Sequence, residues 1–497
     1  MKRINKKINL FVIALVTLLL GVTISVSAIT TAADGSNKVT DQATLTVTNV
    51  VAGDQFRAYK LLDAFYDSAT NVVSYQFTPN FKTYLDSKSN NLTVDEYYKL
   101  TGGDITSGST KTATELDQLV SGYASYIKTN SVTGVDMTVS GTTATATLDA
   151  GAYLVLPTAT TRVYAVMVGN LDFEANGTNW VLNNESIVAK VSDAGVEKSV
   201  SGTENKNLID QEFTYTVVGT VPQYPTNATN KKYVIKDTMS AGIDFAAMST
   251  FKVLDGDNEL TVAADGKVTN ASGNEVAVIT VSGKSMTVEF NVDHVTSTKV
   301  TVKYNAKLNE NAVLGDAGNK NSAALEYSND PYGNGTYTTT PDPSDPTDPG
   351  IVDTKVYGLE VLKYSGTDET AVLAGAVFKV CSDTDCTTEV GTITTDSNGK
   401  GSIKGIPAGT YYLVETKAPT GHQLDTTPHA AKVAVEGADA GTETGYYITK
   451  VSNAKSGILP FTGGTGLLFY SLIGILIIAI GTYVAVKNQK KKMMDVQ

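Results

Sequence analysis

Two lysines stand where the strand pattern of this chain leaves little room for water. In "GVEKSV", Val196, Lys198 and Val200 alternate with Glu197 and Ser199, so a period of two puts Lys198 on the apolar face. In "YGLEVLKYSG", Lys363 falls on the face of Leu359 and Val361. A lysine at a strand end can snorkel to water. One that cannot must be paired or neutral, because a lone buried charge is too costly, and a neutral amine is a nucleophile. Partner residues follow both lysines in the same order. Asp237 shares a face with Tyr233 and Ile235, and Asn321 with Ala323 and Leu325. Further on, Glu415 of "YYLVETKAP" lies with Tyr411 and Leu413, and Asn453 of "KVSNAK" with Val451. Singly, each acid reads as a turn or edge carboxylate and each asparagine as a turn residue. The same three types in the same order, twice, point to a repeated site.

The elements that must position these residues are strands. Short alternating runs such as "FTYTVVGTV", "SMTVEFNV" and "KVTVKY" are punctuated by Gly, Asn and Asp, which predicts an all-β chain of tandem immunoglobulin-like sandwiches. A helical insertion is expected in the first third, where "TVDEYYKL" and "TELDQLVSGYASYIK" carry apolar residues at helical spacing. The four prolines interleaved with aspartates in "TYTTTPDPSDPTDPGIVDTK" predict an extended linker around 338–353. A second boundary is expected near "VAKVSDAGVEKSV".

Both ends carry addresses. "MKRINKKINLFVIALVTLLLGVTISVSA" has the basic start, apolar core and small-residue end of a secretory signal peptide, with cleavage after Ala28 or near Ala33. Gly466 to Val486 is apolar and long enough to span a bilayer, and Lys487, Lys490, Lys491 and Lys492 follow. Positive-inside asymmetry keeps that tail cytoplasmic and the body of the chain outside. The expected parts are a signal peptide (1–33), an N-terminal domain (34–192), a middle domain with the Pro/Asp linker (193–350), a C-terminal domain (351–456) and a terminal signal (457–497).

The formal net charge is −12, and the basic residues concentrated at the two ends leave the body more acidic still. Such a surface repels polyanions and argues against a nucleic-acid partner. The three histidines are scattered, and Cys381 and Cys386 fall near none of them, so neither a metal centre nor turnover catalysis is expected and no cofactor is implied. The two cysteines are close enough to pair across a tight loop, free thiols being the alternative. "LDGDNEL" at 254–260 reads first as a hairpin, and only faintly as a calcium loop.

The Lys–acid–Asn order, the "YYLVETKAP" segment and "LPFTGG" together resemble the backbone subunits of sortase-assembled Gram-positive pili, whose later domains are of the collagen-adhesin (Cna) type. The resemblance spans the chain and is strongest in its last 150 or so residues. It implies intramolecular isopeptide bonds, Lys198–Asn321 assisted by Asp237 and Lys363–Asn453 assisted by Glu415. Burial favours the neutral amine and the protonated acid that such chemistry needs. It also implies that a pilin sortase cuts the Leu459-Pro460-Phe461-Thr462-Gly463 motif after Thr462 and passes the acyl group to a lysine of the next subunit. A housekeeping sortase then joins the polymer to peptidoglycan, the mature chain being wall-anchored rather than transmembrane. The family's joining lysine follows a Trp-x3-Val-x-Val-Tyr-Pro-Lys-Asn pattern. Here Trp180 opens "WVLNNESIVAKVSD" and Lys190 sits ten residues on, with Val-Ala for Tyr-Pro, Val191 for Asn and one extra residue of spacing. In "QYPTN", Thr226 occupies the lysine position and has no amine, while Lys231 and Lys232 are alternatives. Lys60 in "RAYKLLDA" has no matching acid and Asn. The implied partners are sortases, identical subunits, ancillary pilins, peptidoglycan and a host-matrix ligand. A monomeric wall-anchored adhesin shares every feature except use of the joining lysine.

Overall fold

The computed structural model describes residues 36–101, 112–209, 211–225, 227–345, 347–441, 443–456 and 465–494. The signal peptide and Leu459–Gly463 lie outside the described residues. The chain divides into two compact units, one comprising residues up to Glu204 with Leu208–Lys355, the other Asn205–Asn207 with Val356 onward.

The first part of the first unit is built on two sheets. One holds β1 (Gln42–Thr48) between β4 (Thr143–Asp149) and the parallel edge strand β7 (Glu185–Val188); the other pairs β2 (Gln55–Asp67) with β3 (Val72–Phe77) and with β5 (Gly151–Ala159), which pairs β6 (Met167–Leu171). Three helices interrupt the strands: α1 (Pro79–Ser87), α2 (Val94–Thr101) and α3 (Ala113–Asn130). α1 was not expected from the sequence, although Pro79 at its first turn suits a helix start. At the head of α3, Thr112 and Glu115 form a reciprocal capping box. The buried faces of the helices, Phe81, Tyr84, Tyr97, Val120 and Tyr123 among them, meet Leu61, Leu62, Leu154 and Leu156 of the sheet.

The second part of this unit opens with β8 (Gly195–Ser201), followed by β9 (Phe213–Thr220), β10 (Tyr233–Met239), β11 (Ser285–Phe290), β12 (Lys299–Leu308) and β13 (Asn319–Ser328). β8, β9 and β12 are successive antiparallel neighbours, while β10 lies between β11 and β13. Strict alternation fills the interior: Phe213, Tyr215 and Val217 point inward from β9, and Val300, Val302, Tyr304 and Ala306 from β12. Past β13, Tyr332 inserts into the helical core of the first part, its hydroxyl on Ser121 at 3.3 Å.

The Pro/Asp stretch differs from the free extended linker that its composition suggested. Its ends, β14 (Thr336–Thr338) and β15 (Ile351–Thr354), both pair with β13, and the Pro349 carbonyl accepts the Lys198 amide at 2.6 Å. The proline-free ends keep their amides for ladders, while Asp342, Asp345 and Asp348 turn the centre through bonds to amides two residues on.

The second unit is a two-sheet sandwich. β16 (Tyr357–Ser365) lies in one sheet, and the other is formed by β17 (Val377–Cys381), β18 (Glu389–Thr394), β20 (Gly409–Lys417) and β21 (His429–Val433). β16 is flanked by β19 (Lys400–Ile406), antiparallel, and by β22 (Tyr446–Asn453), parallel, so the first and last strands are neighbours. A disulfide joins Cys381 to Cys386, Cα atoms 5.1 Å apart. Thr465–Met494 forms α4, within which Tyr470–Lys491 is long and apolar enough to cross a membrane.

Candidate functional site: two dry lysine clusters

In the second unit, alternation along β16 aims Lys363 into the sandwich, and its side chain is wholly buried. Across the parallel ladder, Ser365 faces Asn453, which sets Asn453 diagonal to Lys363 on the same face. Glu415 reaches in from β20 of the facing sheet and is also buried. Lys363 Nζ donates to Asn453 Oδ1 and lies 3.1 Å from Glu415 Oε1. The Asn453 amide nitrogen donates to Glu415 at 2.8 and 3.0 Å and to the Gln423 carbonyl at 2.8 Å. Phe378 closes one side, its ring centroid 5.1 Å from Nζ. Burial pulls the lysine pKa down, against the opposing charges of Glu415 and Asp425. Amine, amide carbon and bridging acid are thus held together in a pocket closed to bulk solvent.

The middle cluster draws on both layers of its domain. Lys198 comes from β8, Asp237 from β10 and Asn321 from β13, where Asp237 faces Ala323 and Asn321 faces Met239. The Lys198 and Asp237 side chains have no solvent exposure, and Lys198 Nζ donates to Asp237 Oδ2. Burial lowers the lysine pKa and raises that of the acid, each against the pull of its partner, so both move toward the uncharged forms. Asp237 Oδ1 and Asn321 Oδ1 have no hydrogen-bond partner, and a proton on the acid would supply a donor for them. Tyr304, not singled out from the sequence, stands at the centre: its hydroxyl accepts from Lys198 Nζ and from Asn321 Nδ2, both at 2.8 Å. Its place in "KVTVKY" showed only that it faces inward.

Lys190 lies away from both clusters. It follows edge strand β7, its carbonyl accepts the Ala165 amide at 3.1 Å, and its side chain is exposed. Nearby protein still lowers its pKa by desolvation, with Asp117 of α3 opposing. Lys231 and Lys232 are ion-paired, to Asp293 at 2.7 Å and Glu326 at 2.6 Å. Lys60 pairs with Asp63 at 3.1 Å, and Asp63 also pairs with Lys38 at 2.8 Å. In the 254–260 stretch, Asp255 and Asn258 face each other across a hairpin, and the Asp255 carboxylate accepts from Thr296 and Ser297. No group of metal-ligating side chains is present among the described residues.

Comparison with known proteins gives concordant results. Residues 209–331 match the model of a Gram-positive pilin backbone subunit 2, Cna-B-like domain, and residues 358–445 that of a SpaA prealbumin-like fold domain. The chain is similar to fimbrial subunit type 1 of Actinomyces viscosus, 28% identical over 360 residues, covering 62% of this chain and 66% of that protein. It is also similar to the trypsin-resistant surface T6 protein of Streptococcus pyogenes, 26% identical over 276 residues, 52% of this chain and 48% of the relative. The chain thus spans about half to two thirds of the length of these curated relatives. In fold it is similar to the T6 backbone pilin of serotype M6 S. pyogenes, with a TM-score of 0.61 and 20% identity, covering 86% of this chain and 100% of that one. The full-length major pilin SpaD of Corynebacterium diphtheriae gives a TM-score of 0.52 at 18% identity, over 84% and 98% of the two chains. The two matched domains, the relatives and the fold are thus those of Gram-positive backbone pilins with Cna-B-like domains, which this chain resembles.

Proposed function

We propose that the chain is the covalently polymerised shaft subunit of a wall-anchored pilus, its middle and C-terminal domains each closed by an internal amide. The observation that carries this reading is the Lys363–Glu415–Asn453 cluster, in which buried amine, acid and amide touch one another. With Lys363 neutral, Nζ attacks Asn453 Cγ, and one amine proton passes through Glu415 to Nδ2. The C–Nδ2 bond then breaks and ammonia leaves. The same outcome joins Lys198 to Asn321. The Lys363–Asn453 bond links the first strand of its domain to the last, and the Lys198–Asn321 bond links opening strand β8 to β13, the last long strand of the middle domain, so both lie close to where tension along a fibre enters and leaves. The proposed domains are 34–192, 193–350 and 351–456.

Between subunits, a pilin sortase cuts after Thr462 and transfers its carbonyl to Lys190 of the next copy. A housekeeping sortase joins the finished polymer to peptidoglycan, and ancillary pilins and a host-matrix ligand complete the proposed partners. The exposure of Lys190 beside an edge strand supports its role, as does the partial loss of solvation that favours a neutral, attacking amine. The test is an immunoblot of wall extracts boiled in detergent and reductant. The wild type is expected to give a high-molecular-weight ladder that collapses to monomer in Lys190→Ala. A ladder in both moves the joint to another lysine, and a lone monomer band from wild type in cells producing the sortase refutes polymerisation.

A further inference from the structure

The two clusters do not solve the same problem in the same way. In the second unit the acid reaches the amide directly, both Glu415 oxygens accepting from Asn453 Nδ2. In the middle domain the acid is Asp237, one methylene shorter, and the hydrogen bond of Asn321 Nδ2 goes to Tyr304 instead. The hydroxyl that accepts from the amide nitrogen also accepts from the attacking amine, and it lies against the Asp237 carboxyl. Its ring is fixed by Phe245, Phe251 and Tyr215, with centroids 5.3, 5.4 and 5.8 Å away. A tyrosine held only for its packing has no need of a hydroxyl in contact with both nitrogens.

We propose that Tyr304 is a catalytic residue of the middle domain, relaying a proton from Lys198 Nζ to the departing nitrogen of Asn321. The inference rests on the Lys198–Asn321 bond proposed above. As Nζ bonds to Asn321 Cγ, the carbonyl π pair moves to Oδ1, and Nδ2 becomes pyramidal and gains a lone pair. Nζ then gives one proton to the Tyr304 oxygen while the phenolic proton passes to Nδ2. The electron pair on Oδ1 reforms the carbonyl, the C–Nδ2 bond breaks, and ammonia leaves. Tyr304 ends as it began, and the sum is amine plus primary amide giving secondary amide plus ammonia. Because Tyr304 hands over a proton only while receiving one, it never has to ionise, which its buried phenol resists.

The test follows bond closure by intact mass after rapid refolding of the full chain, reading loss of one ammonia per bond, with peptide mapping to assign each bond. Tyr304→Phe keeps the ring and is expected to slow Lys198–Asn321 closure by about 10²-fold, the low end for a lost general acid–base group. Lys363–Asn453 closure in the same molecule is expected to be unchanged. Equal closure in Tyr304→Phe and wild type overturns the relay. If Tyr304→Phe does not fold, 4-fluorophenylalanine placed at 304 alone keeps the ring and fills the place of the hydroxyl with no proton to hand on; closure at the wild-type rate there overturns it equally. Absence of the Lys198–Asn321 bond from wild type is a different failure: it removes the cross-link itself.

Discussion

Replacing Lys363 by methionine separates the worth of the proposed cross-link from that of ordinary packing. Lys363 and Asn453 are 90 residues apart in sequence, so the bond closes nearly the whole C-terminal domain into a loop. In the chain-entropy description, a loop of that size restrains the unfolded chain by about 4.6 kcal/mol at 25 °C. Methionine fills a comparable volume and carries no amine, so where the bond cannot form it leaves no lysine charge to bury. Asn453 keeps its bonds to Glu415 and Gln423, so little else is lost. For a domain of about 100 residues the missing constraint corresponds to a drop in Tm of about 20 °C. Calorimetry of Lys363→Met beside wild type, with intact mass reporting the ammonia retained, is the assay. A variant with unlinked mass that melts within a few degrees of wild type would refute the reasoning.

Two further substitutions probe the first unit. Desolvation raises Asp172 from its ordinary value to about 7, against its bond from the Tyr98 hydroxyl at 2.7 Å. An acid whose folded-state pKa is raised costs stability as pH climbs from about 4 to about 7, here up to about 4 kcal/mol. Asp172→Asn is therefore expected to be more stable than wild type at pH 8 and to lose that advantage by pH 4 in denaturant titrations; a constant difference across that range contradicts it. Tyr332→Ala empties a buried site in the helical core, and a loss of about 3–5 kcal/mol in chemical denaturation is expected. A loss below 1 kcal/mol, on the order of a surface change, would mean that the insertion contributes no packing.

How much of this was legible beforehand follows from what periodicity can carry. Period-two alternation assigns a face, so Lys198, Lys363, Asp237, Glu415, Asn321 and Asn453 could be read as inward-pointing. It does not give register between strands far apart in sequence. The diagonal placing of Lys363 and Asn453 depends on a parallel pairing that no local pattern encodes. Tyr304 was invisible for the same reason: an inward tyrosine in a β run is ordinary core until the opposite layer is in place. Helices α2 and α3 show their period in the sequence; α1, nine residues against the eight of α2, carries the same spacing in Phe81, Tyr84 and Leu85, so length does not explain why it went unexpected. The Pro/Asp stretch was read by composition as free chain, and only its short proline-free ends told otherwise.

The parallel pairing of β16 with β22 has a consequence for durability. With Lys363 bonded to Asn453, the covalent route through the last domain steps straight from the first strand to the last. The residues between them hang from that route as a closed side chain of the polymer. A protease that cut once in the exposed turns there, for example around Asp396–Lys400 or Asp383–Thr387, would open the side loop and leave the fibre continuous. The Lys198–Asn321 bond would give the middle domain the same tolerance. Breakage would then need a cut in the few stretches that the two bonds do not bypass, which concentrates the vulnerability of a long filament into a small part of each subunit.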